Sequence, residues 1–82
     1  MGKREVGKIT HYYNKIGVAV VELTGTLKIG DRISIEGKSN FEQVVSSMQI
    51  EKKDVSEATA GQAIGLKVDQ PVKEGDKVYV IE

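Results

Sequence analysis

Apolar and polar residues alternate along most of this chain, in short runs rich in Val, Ile, Thr and Tyr. A period of two places successive side chains on opposite faces of an extended backbone, so the pattern predicts β-strands with one buried and one solvated face. Nine glycines punctuate the runs at short intervals, which is typical of turns between short strands. The predicted strands are residues 5–12, 15–23, 31–37, 41–50, 63–68 and 76–82.

One phrase occurs twice, as LKIGDRISIE at residues 27–36 and as VKEGDKVYVIE at residues 72–82. In each copy a glycine, Gly30 or Gly75, is third in a four-residue turn, where a type II turn needs a positive φ. The aspartate that follows can accept hydrogen bonds from nearby backbone amides. Each phrase therefore predicts a turn that leads into a strand, and the repeat predicts pseudo-symmetric strands of a closed or nearly closed barrel.

The segments that connect the predicted strands give weaker predictions. Tyr13-Asn14-Lys15 separates the first two strands, and a tight hairpin is predicted there because asparagine tolerates a left-handed backbone. The apolar residues change parity within 41–50, which predicts a bend or bulge. Residues 51–62 lack the period of two. Asp54 followed by Glu57 resembles a capping box that would begin a single helical turn, and a packed loop is the alternative.

The length of 82 residues predicts a single domain, residues 1–82, with a core from about 5 to 81. Twelve basic and twelve acidic residues give a formal net charge of zero, so binding to a nucleic acid would require a local basic patch. The chain has no cysteine, which excludes disulfides and thiolate chemistry and suits the cytoplasm. The longest apolar run, residues 16–21, is too short to span a membrane.

Two candidate catalytic motifs lack the residues or elements that their chemistry requires. Residues 2–8, GKREVGK, formally match a phosphate-binding loop, but a strand pattern follows instead of a helix, and Ile9 stands where serine or threonine would hold magnesium. The single histidine, His11, has no local nucleophile motif and too few companions for a metal site. The sequence therefore predicts no catalytic residue, no metal and no cofactor.

The segment from Lys8 to Lys15 is the strongest candidate for a binding site. It places a histidine and two tyrosines between two lysines, and such rings can stack on unpaired bases while lysines contact phosphate. The predicted RNA-binding residues are Lys8, His11, Tyr12, Tyr13 and Lys15, with Arg32 and Lys38 as neighbours. The alternative is structural, with one tyrosine filling the end of the barrel and the others covering its rim.

Several phrases, in order, resemble a known family. VGKI, IGVAVVEL, LKIGDRISIEG, VSSMQI and the A-x-x-G-x-x-IGL pattern of residues 58–66 are similar to the second-domain β-barrel of translational GTPases such as elongation factor Tu and initiation factor two. The similarity runs from about Val6 to Tyr79. The stretch FEQVVSSMQI also resembles the small barrel appended to collagenase-like peptidases.

The resemblance implies an all-β fold, a six-stranded closed barrel of Greek-key type. In the GTPases this barrel helps to hold the acceptor end of aminoacyl-tRNA and hydrolyses nothing. The chain has no credible phosphate loop and no N-K-x-D motif, so GTP is not an expected ligand. The expected function is a non-catalytic binding module for structured RNA, such as tRNA or ribosomal RNA, within a larger complex.

A second function stays open. The barrel could dock on a larger enzyme, peptidase-like or RNA-modifying, as the peptidase-appended barrels are placed to do, and zero net charge suits a protein partner. A flavin-binding reductase is the third option, but the Arg-x-Tyr-(Ser/Thr) signature of those barrels is absent from the sequence.

Overall fold

The computed structural model describes residues 2–82, in which ten β-strands make up the regular structure. The strands are β1 Lys3–Tyr13, β2 Val18–Leu23, β3 Leu27–Lys28, β4 Arg32–Glu36, β5 Phe41–Val44, β6 Met48–Ile50, β7 Lys53–Val55, β8 Glu57–Ala58, β9 Ala63–Lys67 and β10 Lys77–Ile81. All six predicted strands are found, and the predicted bend divides residues 41–50 into β5 and β6.

Eight strands form one antiparallel sheet in the order β5-β4-β10-β1-β2-β9-β6-β7, and β3 pairs separately with β8. The long strand β1 lies at the centre because its first half pairs with β10 and its second half with β2. The structure confirms an all-β, single small domain. It has ten strands rather than six, and no ladder among residues 2–82 joins the edge strands β5 and β7.

The segment 51–62 forms no helical turn. Residues 53–55 and 57–58 form β7 and β8, and Leu27 pairs with Ala58, both buried. These strands could not be predicted from the sequence, because each has only two or three residues, too few to show the alternation of apolar and polar side chains. Residues 2–82 contain no helix with the length and hydropathy of a bilayer-spanning segment.

The repeated phrases form matching turns. Gly30 and Gly75 have φ values of 93° and 94°, and the aspartate amides donate to the Lys28 and Lys73 carbonyls, both at 3.1 Å. Each aspartate carboxylate also accepts a hydrogen bond from the amide of that lysine at 3.0 Å. The strands that follow, β4 and β10, are antiparallel neighbours.

The register between β4 and β10 is symmetric. Val78 pairs with Ile35 while Ile33 pairs with Val80, so equivalent residues of the two phrases exchange places about a local two-fold axis. The prediction of pseudo-symmetric strands is confirmed. The prediction for the first hairpin is wrong in one detail, because the left-handed residue is Gly17, with φ 67°, and not Asn14.

Alternating residues of the sheet form one apolar core. Its largest fully buried side chains are Ile9, Leu23, Leu27, Ile33, Ile35, Met48, Ile64 and Leu66. Tyr12 and Phe41 are partly buried and pack against this cluster. The buried polar residues among 2–82 are Ser34, Gln43 and Asp76, and their side chains all have hydrogen-bond partners.

Gln43 joins two parts of the sheet that no ladder connects. Its Nε2 donates to the Lys67 carbonyl and its Oε1 accepts from the Asp69 amide, both at 2.8 Å. The bridge ties the edge strand β5 to the segment that follows β9. Because Gln43 is buried, water cannot replace these two bonds.

Replacing Gln43 by leucine is expected to lower the free energy of unfolding by about 1–3 kcal/mol, since the Lys67 carbonyl and the Asp69 amide would lose their side-chain partner. Urea denaturation followed by circular dichroism measures the change. Gln49→Leu is the control, because the Gln49 amide bonds to Asp54 at the surface. Equal losses for the two variants would contradict the role of the buried bridge.

Candidate binding surface

The end of the β1–β2 hairpin carries the aromatic residues of the predicted RNA-binding patch. A β-bulge at Thr10 shifts the alternation of β1 by one residue. His11 and Tyr13 are therefore exposed, whereas Tyr12 pairs with the buried Ala19 and packs against the core. The structure places two of the three rings on the outer face and turns the third inward.

His11 and Tyr13 form a small polar-aromatic cluster. Their ring centroids are 4.4 Å apart and the ring planes meet at 67°, an edge-to-face arrangement. His11 Nδ1 lies 3.4 Å from Glu74 Oε2 in the second repeated turn. Tyr13 remains 49% exposed, so one large ring is available to a partner.

The lysines of the predicted patch are close in the chain but separated on the surface. Lys8 lies on β1 opposite Glu22 of β2, which lowers the local positive potential. Lys15 is exposed in the turn between β1 and β2, next to Ile16. Neither lysine takes part in an ion pair among residues 2–82.

The two outlying residues of the prediction lie elsewhere. Lys38 lines a shallow cavity of about 330 Å³ with Tyr12, Lys73 and Glu74, on the inward side of the hairpin end. Arg32 begins β4 near the opposite end of β1 and pairs with Glu42, with Nη2 3.1 Å from Oε1. The structure therefore does not bring Arg32 together with Tyr13.

A second feature of the outer face was not predicted from the sequence. A shallow cavity of about 560 Å³ crosses β2, β9 and β6. We call this surface the outer groove and define it by Tyr13, Ile16, Val18, Val20, Gln49 and Gly65. Ile16 is 60% exposed, and the sequence signal was present in IGVAVVEL, where apolar residues occupy both parities instead of one.

Charges on the surface are locally balanced. Among residues 2–82, four ion pairs join exposed or half-exposed side chains, Lys3–Glu36, Arg4–Glu82, Arg32–Glu42 and Lys77–Glu5, and the His11 ring lies beside Glu74. The hydrogen bonds from Lys3 and Ser34 hold the pKa of Glu36 below its ordinary value. Two of the predicted RNA-binding residues, His11 and Arg32, lie beside the acidic side chains of Glu74 and Glu42.

The described residues form neither a metal site nor a phosphate-binding loop. No group of three or more His, Asp or Glu side chains among residues 2–82 is placed to hold a metal ion. The segment that formally matches a phosphate-binding loop lies almost entirely in β1, so it has no helix to surround a phosphate. Of the three buried polar side chains, Gln43 and Asp76 bond to the backbone and Ser34 donates to Glu36.

Curated relatives of the chain carry the names of proteases. No family model matches the sequence. An uncharacterized protease of Methanocaldococcus jannaschii is 46% identical over 82 residues, which is 98% of this chain and 20% of that protein. A collagenase of Porphyromonas gingivalis is 39% identical over 80 residues, 94% of this chain and 22% of that protein. The chain spans about a fifth of the length of these relatives.

Solved structures show what class of fold this is. The C-terminal domain of a Geobacillus thermoleovorans protein assigned to the U32 peptidases superposes with a TM-score of 0.88 at 22% identity, covering 94% of this chain and 91% of that domain. The bacterial selenocysteine-specific elongation factor gives a TM-score of 0.71 at 23% identity, over 98% of this chain and 14% of that chain.

GDP-bound aIF5B from Aeropyrum pernix gives a TM-score of 0.72 at 14% identity, over 100% of this chain and 15% of that chain. At these identities the likeness concerns the fold alone. The structural neighbours thus include both a U32 peptidase C-terminal domain and translational GTPase domains, as the sequence phrases predicted.

Proposed function

We propose that this chain is a non-catalytic binding module that docks on a larger, peptidase-like or RNA-modifying protein through the outer groove. The observation that carries the proposal is the apolar surface formed by the exposed Tyr13 and Ile16 with the half-buried Val18 and Val20, on the outer face of the sheet. A contiguous apolar surface rimmed by polar residues is typical of protein–protein interaction sites.

Two further observations support docking. The balanced ion pairs leave no large positive field, and protein interfaces do not need one. In the curated relatives the matching segment is about a fifth of a longer protein, which supplies a body on which such a module can pack.

We further propose that the sheet closes into a barrel through side-chain and loop contacts and not through continuous strand pairing. The Gln43 bridge and the hydrogen bond from the Lys67 amide to the Ser47 carbonyl, at 3.2 Å, support closure on the side where ladders end. A closed cylinder would hold the outer groove rigid, which reduces the entropy lost on binding.

The docking proposal predicts saturable binding to the Methanocaldococcus jannaschii relative from which the matching fifth has been removed. Isothermal titration calorimetry at two salt concentrations measures the affinity, and moderate salt is expected to change it little because the contact is apolar. Absence of binding to this truncated protein, with the full-length relative folded and monodisperse, would contradict docking on a peptidase-like body.

Ile16→Ala in this complex is expected to weaken binding about tenfold, which corresponds to about 1.4 kcal/mol. Val44→Ala is the matched control, because Val44 is also an exposed aliphatic residue, at 54% against 60% for Ile16, but lies on the edge strand β5. Comparable losses in the two variants would show that the outer groove is not the contact surface.

A second candidate, the binding of structured RNA such as tRNA or ribosomal RNA, is favoured by the exposed Tyr13 ring beside His11 and by Lys8 and Lys15, which form no ion pair within residues 2–82. If the barrel binds an acceptor-stem RNA, affinity should fall steeply with salt, and Tyr13→Ala should cost about 1–3 kcal/mol for one stacked base. An NMR titration of the labelled chain with this RNA at low and moderate salt decides between the candidates. Shifts at residues 8–15 that vanish with salt would favour RNA.

A further inference from the structure

The tip of the β6–β7 hairpin has an unfavourable backbone conformation. Ile50 pairs with Lys53, so Glu51 and Lys52 form a two-residue loop. Their φ values are 51° and 67°, and they are the only non-glycine residues with positive φ among residues 2–82. Loops of this kind favour Asn-Gly, because the Cβ of other residues crowds a left-handed backbone. Glu51-Lys52 is therefore a poor sequence for the turn that it forms.

Packing of the two strands holds the turn in this conformation. Met48 is buried and pairs with Val55, and Val55 and Ile50 pack against the apolar core. A shift of the pairing by one residue would turn these side chains to the other face, so the turn cannot relax in that way. Backbone strain persists where the surrounding structure determines the conformation, and such strain concentrates at functional sites.

Contacts within the chain do not offset the strain. Glu51 and Lys52 are exposed, and among residues 2–82 neither side chain forms an ion pair or a hydrogen bond. Asparagine and glycine would fit the backbone better, and the folded chain would lose no side-chain bond. The free chain therefore gives no structural reason for a glutamate followed by a lysine at this turn.

The turn lies at one end of the outer groove, and both of its residues line the groove. Gln49 pairs with Gly65, and the chain continues from there past Ala63, whereas Tyr13 pairs with Val18 on the other side of Gly65. The two charged side chains thus lie at the end of the groove away from Tyr13. A partner that covers the apolar surface comes within reach of both, as at interfaces with an apolar centre and a polar rim.

We propose that the β6–β7 turn determines the specificity of docking: Glu51 pairs with a basic side chain of the partner protein, and Lys52 pairs with an acidic one. The strained turn keeps the two opposite charges in a fixed order at the rim of the groove. Complementary charges across an interface fix its register and exclude wrong partners. This inference rests on the proposed docking function and adds the residues that orient the module on its partner.

An exchange of the two charges tests the inference. The double variant Glu51→Lys with Lys52→Glu keeps the composition, the net charge and the non-glycine turn, and it reverses only the order of the charges. Isothermal titration calorimetry uses the Methanocaldococcus jannaschii relative from which the matching fifth has been removed. The exchanged chain is expected to bind this truncated relative about tenfold more weakly than the wild type at low salt. Equal affinity of the two chains would overturn the inference.

Relief of the strain gives a second test. The double variant Glu51→Asn with Lys52→Gly fits the turn, and urea denaturation is expected to show a folding equilibrium constant raised about fivefold. The same variant should bind the truncated relative about fivefold more weakly, because both charges are lost. Unchanged or lower stability would show that the turn is not strained, and full binding by the more stable variant would show that the charges are not used. Either result would overturn the inference.

A control exchange separates the turn from surface charge in general. Arg32→Glu with Glu42→Arg reverses an exposed ion pair on β4 and β5, outside the groove, and should bind like the wild type. A loss equal to that of the exchanged turn would overturn the inference. If the truncated relative binds the wild type and the exchanged turn equally well, docking stands and the role of the turn does not. If it does not bind the wild type at all, the docking proposal fails and the inference fails with it.

Discussion

Replacing Gly37 by alanine is expected to lower the free energy of unfolding by about 3 kcal/mol, because the added methyl group would be both strained and crowded. Gly37 follows β4 with φ 142°, a conformation that side chains rarely adopt. An added Cβ would lie 2.5 Å from Asp76 Oδ1 and 3.2 Å from Asp76 Cα. The methyl group must therefore displace the buried carboxylate or the loop that it holds. Urea denaturation measures the loss.

Gly30→Ala is the matched control for Gly37→Ala. Gly30 also has a positive φ, 93°, but an added Cβ would meet no atom within 4 Å. Its replacement should cost only the backbone strain, about 1 kcal/mol. If the two variants lose the same stability, then crowding against Asp76 contributes nothing and the explanation for Gly37 is wrong.

Replacing Asp76 by asparagine is expected to cost about 1–3 kcal/mol at neutral pH, because a buried carboxylate that accepts several hydrogen bonds is lost. Asp76 Oδ2 accepts from the Lys73 amide at 3.0 Å and Oδ1 accepts from the Lys38 amide at 2.9 Å. The side chain thus joins its own turn to the loop after β4. Thermal or urea denaturation at pH 7 gives the magnitude.

The same substitution should change the response to acid. Burial by itself raises the pKa of Asp76, but hydrogen bonds from the Lys73 amide, the Ser39 side chain and the Lys38 amide outweigh it, and the pKa lies below its ordinary value. The stabilisation is therefore fully present above the pKa of an unfolded aspartate, about 3.9, and is lost as the pH falls through the lower pKa of the folded state. Asp76→Asn should flatten the fall in stability below about pH 4.

Asp31 provides the control within the repeat. It occupies the equivalent turn and accepts from the Lys28 amide at 3.0 Å, but it is less buried than Asp76. Asp31→Asn should therefore lower the free energy of unfolding at pH 7 by less than Asp76→Asn does. A larger effect at Asp31 than at Asp76 would contradict the role assigned to burial.

Local pattern was enough to predict much of this protein. The alternation of Ile33 and Ile35 with polar neighbours indicated the core face of β4, because alternate residues of a strand share a face. The burial of Ser34 between them was not indicated, because it depends on what covers the other face. The turns at Gly30 and Gly75 were predicted since positive φ is a local requirement. The order of the phrases indicated the fold class that the structural neighbours share.

The candidate site was predicted only in part, because its arrangement depends on register. The sequence placed His11, Tyr12 and Tyr13 together, yet the bulge at Thr10 decides that His11 and Tyr13 face outward while Tyr12 faces the core. Pairing between distant strands fixes such a bulge, and a shift of one residue reverses every side chain that follows.

The sequence by itself determined the strands, the paired turns and the balance of charge, since these depend on neighbouring residues and composition. Only the tertiary structure decided which of the candidate residues share one surface. It moved Arg32 away from Tyr13 and brought Ile16, Val20, Gly65 and Lys52 to one groove. Those residues come from separate strands and turns, and only long-range pairing of the sheet brings them together.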